Sequence, residues 1–159
     1  MVGRISMSSI KIEKAKNDFD MSQLSVAFRD IAPLYPNFSK WFISNFVPSF
    51  HRGEREIIFA HNGKQLCGIS LLKKTKEEQK ICTFYVLPEF RRNKLGERLL
   101  DASLASMNDG YVIISVSKER LSELYPVLSS RGFVLDHYVK GLYRSENIEY
   151  FFKIKKRQV

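Results

Sequence analysis

The segment Tyr85-Val-Leu-Pro-Glu-Phe-Arg-Arg-Asn-Lys-Leu-Gly-Glu-Arg-Leu-Leu100 constrains the fold more than any other part of the chain. A β-prone apolar run stops at Pro88, a short basic loop follows, and apolar residues then recur at helical spacing, so the stretch reads as strand, tight loop and amphipathic helix. Such a loop directs several unpaired backbone N–H groups and the positive end of the helix dipole at one point, which suits a phosphate or pyrophosphate. Arg91, Arg92, Lys94 and Arg98 add side-chain charge, and Gly96 lets a ligand approach the backbone where a Cβ would interfere. The same residues also suit an ordinary strand-to-helix connection with a solvated basic face.

The rest of the chain frames that stretch. Ser8 to Lys16 alternates as a strand, and Asp20 N-caps a helix with Leu24, Ala27, Phe28 and Ile31 on one face. A second helix is expected from Asn37 to Phe50, where Phe38, Trp41, Phe42 and Phe46 recur at core-packing spacing. Arg55 to Ala60 and Leu66 to Lys73 form a hairpin about Asn62-Gly63, and Lys80 to Leu87 extends it into a meander. After the helix from Lys94 to Met107, Tyr111 to Val116 is apolar throughout. A β-α-β crossover therefore predicts that it lies parallel to the Lys80 to Leu87 strand. Ser117 is expected to N-cap a helix carrying Leu121, Leu124, Tyr125 and Leu128, and two strands, Phe133 to Tyr143 and Glu149 to Lys155, complete the order.

With 159 residues, one domain spanning 1–159 is expected. Met1 to Met7 lacks the apolar run of a signal peptide and no stretch is long and apolar enough to span a bilayer, so the expectation is a cytoplasmic protein without a membrane. Cys67 and Cys82 fall in strand-like runs without metal-ligand spacing, so no metal is expected. The net charge of +9 suits a polyanionic cofactor, an acidic peptide or RNA; only Lys153-Ile-Lys-Lys-Arg157, within a candidate basic tail to Val159, is dense.

Arg91-Arg92-Asn93-Lys94-Leu95-Gly96, led in by Val86-Leu87-Pro88-Glu89-Phe90, resembles the Gln/Arg-x-x-Gly-x-Gly/Ala signature of the GNAT superfamily of acyl-CoA-dependent N-acyltransferases. Gly132-Phe133 resembles the Gly-Phe that precedes the sixth strand of that family, and the order β-α-α-β-β-β-α-β-α-β-β matches its fold over most of the chain. One position departs, since Lys94 stands where the family has its first glycine, so that either Lys94 adopts a conformation that glycine takes without cost or the loop is slightly rearranged.

The resemblance implies an α/β fold around a mixed, mostly antiparallel sheet of about seven strands, with helices on both faces. It implies acetyl-CoA as acyl donor, its pantetheine arm lying between the splayed fourth and fifth strands along Phe84, Tyr85 and Val86. One backbone N–H near Val86 would polarise the thioester, and Arg91, Arg92, Asn93, Lys94, Leu95, Gly96, Glu97 and Arg98 would hold the pyrophosphate. The acceptor would be an amine of a small molecule, peptide, protein or aminoacyl-tRNA. For the acid that protonates the departing thiolate, Tyr125 is the candidate and Tyr143 the alternative, while no general base is assigned. Two further readings stand beside this one: a non-catalytic acyl-CoA-binding or interaction module of the same fold, and a basic protein associated with RNA or the ribosome. The oligomeric state is left open by the sequence, with a dimer as one option.

Overall fold

The computed structural model describes residues 9–157. Met1 to Met7, Ser8 at the head of the expected first strand, and Gln158 and Val159 of the expected tail lie outside them. Seven strands form one sheet in the order β1-β2-β3-β4-β5-β7-β6. They are β1 (Lys11–Lys14), β2 (Arg55–His61), β3 (Leu66–Lys74), β4 (Gln79–Val86), β5 (Gly110–Ser117), β6 (Val134–Lys140) and β7 (Ile148–Lys156). All neighbours are antiparallel except β4 and β5, which are parallel as the crossover requires.

The helices are α1 (Ser25–Ile31), α2 (Phe38–Trp41), α3 (Val47–His51), α4 (Leu95–Ala105) and α5 (Leu121–Ser130). Asp20 accepts from the Ser22 N–H at 3.0 Å and opens a short 3-10 turn that leads into α1. The helix expected over Asn37 to Phe50 is one continuous run interrupted by a π turn over Phe42–Phe46. That turn falls just before Pro48, whose ring removes the N–H that an unbroken α-helix would use. Phe38, Phe42, Phe46 and Phe50 stack along one side of the run, and all four are buried.

Both faces of the meander are covered, which is why β3 is buried along most of its length. Ser103 of α4 bonds Ser70 of β3 at 2.7 Å on one face, while the Tyr85 hydroxyl of β4 donates to Asp30 of α1 on the other. The Asn62-Gly63 turn forms as expected, with Gly63 at φ +89° and Asn62 Oδ1 accepting from the N–H groups of Lys64 and Gln65.

β1 and α4 are shorter than the expected Ser8 to Lys16 and Lys94 to Met107, and three further boundaries differ from the sequence expectation. Ser117 ends β5 fully buried, without capping α5, and a 3-10 turn over Lys118–Arg120 comes between. The strand expected to Tyr143 stops at Lys140, where Gly141 takes φ +77° and turns the chain into the loop that carries Tyr143. Lys153 to Lys156 belong to β7, not to a tail, and Lys153 pairs with Asp136 of β6 at 3.0 Å.

Candidate functional site

The parallel pairing of β4 with β5 is confined to Lys80↔Ile113 and Ile81↔Ile114. At that point β4 carries a bulge: Leu72 faces Ile81 and Leu71 faces Thr83, which leaves Cys82 as the extra residue. A bulge bends its strand and increases local twist, so β4 turns away from β5 just where pairing ends. Along the resulting gap the Phe84 and Val86 carbonyls find side-chain donors in place of a strand. Arg120 Nη2 donates to the Phe84 carbonyl at 2.6 Å, and Arg91 Nε donates to the Val86 carbonyl at 2.8 Å.

Glu123 on the first turn of α5 joins the two arginines, at 2.6 Å from Arg91 Nη2 and 3.0 Å from Arg120 Nε. Both guanidinium groups also lie over the Tyr85 ring, 5.2 and 5.3 Å from its centroid. Burial and the Asp30 hydrogen bond push the Tyr85 hydroxyl up to about 12. Arg120 and Glu123 were not singled out from the sequence. Their i,i+3 spacing after β5 marks a helical ion pair, but nothing in it marks a contact with β4.

Beyond Val86 the chain makes a 3-10 turn at Pro88–Phe90 and enters the loop. Arg92 and Lys94 take left-handed conformations, φ +69° and +60°, so Lys94 does adopt the backbone geometry expected of a residue at a glycine position. Lys94 is the N-cap of α4 and its side chain makes no cap, so it leaves the N–H groups of the first turn to other acceptors. Arg92, Asn93 and Lys94 are exposed at the mouth of this turn, and Leu95 is buried beneath it.

Two loop residues have other surroundings than the sequence suggests. Arg98 Nη2 donates to the Ile10 carbonyl at 3.1 Å, next to β1. A Cβ on Gly96 would lie 3.3 Å from Val127 Cγ2, so the constraint at this position is the packing of α4 on α5. Glu97 sits in the first turn of α4, where a carboxylate favours the helix dipole.

A cavity of about 480 Å³ opens between α2, the start of β4 and the loop after β6. Tyr143 lines it and meets Tyr35 edge to face at 5.1 Å. The Tyr35 hydroxyl donates to Glu149 Oε1 at 3.1 Å. Glu149 is 2% exposed, and burial raises its carboxyl above the ordinary carboxylate range. Tyr125 is elsewhere: it is half exposed on α5 with its ring 6.0 Å from that of Phe152, and it lines neither this cavity nor the one beside the β2–β3 turn.

Cys82 borders the cavity, where burial raises its thiol and Arg55 Nη1 lies 3.3 Å from its Sγ. Burial pushes the Cys67 thiol up to about 11. Both cysteines are free, and neither is poised as a thiolate nucleophile. Among the described residues no cluster of His, Cys, Asp and Glu could hold a metal ion, and no helix is long and apolar enough to cross a membrane.

The family model described as the acetyltransferase (GNAT) domain matches residues 35–140. No curated protein sequence matches the chain. Among solved structures, a putative acetyltransferase of the GNAT family from Desulfovibrio desulfuricans superposes with a TM-score of 0.72 at 11% identity, covering 92% of this chain and 98% of that one. An aminoglycoside 6'-N-acetyltransferase complexed with coenzyme A gives 0.70 at 11% identity, covering 94% and 99%. NAA60 of Arabidopsis thaliana, in complex with a bisubstrate analogue, gives 0.68 at 16% identity, covering 91% and 98%. These likenesses carry the fold. The family match spans the α2 to β6 region that holds the β4–β5 gap, the left-handed loop and the uncapped helix, and the chain belongs to the GNAT acetyltransferase family.

Proposed function

We propose that this protein is an N-acetyltransferase that moves the acetyl group of acetyl-CoA directly to an amine, both substrates being bound together. The observation that carries this reading is the β4–β5 gap leading to the left-handed loop and the uncapped start of α4. An extended arm bearing amides can pair with the backbone of Phe84 and Val86, and a pyrophosphate at its end meets the loop N–H groups with Arg92 and Lys94 beside them. Bound acetyl-CoA has been described in a solved GNAT acetyltransferase from Elizabethkingia anophelis, which supports the same donor here. To seat the arm, the Arg120 and Arg91 hydrogen bonds to β4 must open, and Glu123 holds both guanidinium groups beside the gap.

The raised thiols of Cys67 and Cys82 favour direct attack over an acetyl-cysteine intermediate. The amine, once it has lost a proton, adds to the thioester carbonyl, whose developing negative charge is met by a backbone N–H near Val86. Collapse breaks the C–S bond, the thiolate takes a proton, and the nitrogen loses its second. We assign the base to Glu149, reached through the Tyr35 hydroxyl: burial moves its carboxyl toward working pH, where proton acceptance is most effective. Of the two candidate acids, Tyr143 is favoured because it lines the cavity beside Tyr35 and Tyr125 does not.

The test is steady-state release of CoA with an amine panel. Glu149→Gln is expected to lower kcat by about 10²-fold or more with little change in acetyl-CoA affinity, as loss of a general base does. Tyr143→Phe should lower kcat, with Tyr125→Phe near wild type. An unchanged rate in Glu149→Gln rejects the base assignment.

A further inference from the structure

The cavity beside the gap is basic, and its charges are unevenly answered. Lys73 is paired with Glu78 at 2.9 Å. Arg55 and Lys80 line the same cavity, and among the described residues neither makes an ion pair within 4 Å. Arg55 is fixed: its Cζ lies 5.5 Å from the Trp41 ring centroid and 5.6 Å from that of Phe46, while Nη1 points at Cys82 Sγ. The Lys80 ammonium lies 5.8 Å from the Phe151 ring centroid. Glu78 on the same wall is near enough for Lys80 and Arg55, as well as Lys73, to lower its carboxyl, but three cations against this one carboxylate leave the wall net positive, a preformed receptor for an anion.

We propose that the acceptor is a small amine that carries its own anionic group, a carboxylate or a phosphate, and that Arg55 and Lys80 bind that group. The name acceptor rests on the acetyl-transfer reading; the anion site does not. Cys82, which Arg55 touches, is two residues from Phe84, which is about 7 Å along a strand. An anion held there therefore sits a few bonds' length from an amine at the mouth of the gap. The cavity of about 480 Å³ is of small-molecule size. Glu78 is paired most directly with Lys73, and Glu149, although within electrostatic reach of Lys80, lies buried behind Tyr35. A polycationic amine would therefore meet Arg55 and Lys80 as like charges, which disfavours it.

Trp41 is the only tryptophan of the chain and lies under Arg55, so its emission reports on this wall directly. The experiment titrates the full-length protein, without any acetyl donor, with two matched pairs: lysine against cadaverine, and phosphoethanolamine against ethanolamine. The expected result is a saturable emission change in which the anion-bearing member of at least one pair binds about tenfold tighter, the scale of one hydrogen bond to a charged group. Preference in the first pair identifies a carboxylate and in the second a phosphate. Arg55→Met and Lys80→Met should each remove most of that preference; if the first misfolds, the second decides. Equal or weaker binding of the anionic member in both pairs, no saturable change with any of the four, or a preference untouched in the folded variants overturns the proposal. Because no acetyl-CoA is present, these results are independent of donor binding. Failure of acetyl-CoA to bind in a separate titration would instead remove the acetyl-transfer reading and leave the anion site standing.

Discussion

Lys94 holds φ +60°, a region that costs a side-chain-bearing residue of order 1–2 kcal/mol and glycine almost nothing. Glycine also loses more backbone freedom on folding, by roughly 0.5–1 kcal/mol, so the two effects partly cancel. Lys94→Gly is accordingly expected to raise stability by about 0.5–1 kcal/mol in denaturant unfolding, while weakening acetyl-CoA binding through the lost charge. A destabilised variant would contradict the strain argument. Glu149 yields a pH test. Its folded-state pKa is raised by burial, so above the unfolded value of 4.5 the folded protein holds the proton more tightly than the unfolded chain does. Its contribution to stability therefore declines as pH rises through that window. Glu149→Gln should be more stable than wild type at pH 7 to 8, with the difference vanishing near pH 3. A difference that persists at low pH would mean that the substitution acts through packing.

Between elements, the α4–α5 contact decides the role of Gly96. A Cβ there meets Val127 Cγ2 at 3.3 Å, a contact that must yield by a few tenths of an ångström. Gly96→Ala should be near neutral, because the gain in helix propensity of about 1 kcal/mol offsets the crowding. Gly96→Val should cost about 1–3 kcal/mol, largely recovered when Val127→Ala is added. Unaltered stability of Gly96→Val, measured as a denaturant midpoint, would contradict this packing. The loop and helix were legible in the sequence because Pro88, the basic run and the leucine spacing are local signals. The left-handed Lys94 was legible only once a glycine was expected at that position. The partners of Gly96 and of Arg98 were not legible, since Val127 and Ile10 are distant in sequence and no local pattern encodes which helix face meets which.

On the scale of the molecule, the crossover argument anticipated the single parallel pair because a strand, a helix and a second strand of buried character leave few ways to close. The extent of that pairing was not encoded locally: it ends at the Cys82 bulge, and a bulge carries no residue signature here. Arg120 and Glu123 were not legible for a similar reason, since Arg120 acts on β4 from 36 residues away and Glu123 acts through Arg120 and Arg91. The basic run at the C-terminus was legible both as strand and as tail, and the strand reading holds through Lys156 because each lysine there has a sheet partner on β5 or β6. The net charge of +9 adds a long-range attraction for a polyanionic donor, and this part weakens as salt screens it.

Calorimetric titration with acetyl-CoA, CoA and ADP at two salt concentrations tests whether the gap and the loop together bind acyl-CoA. Saturable binding of acetyl-CoA and CoA is expected, both tighter than ADP at either salt, because only they place an arm along Phe84 and Val86. Binding of ADP as tight as CoA, or no binding of any of the three, would contradict it.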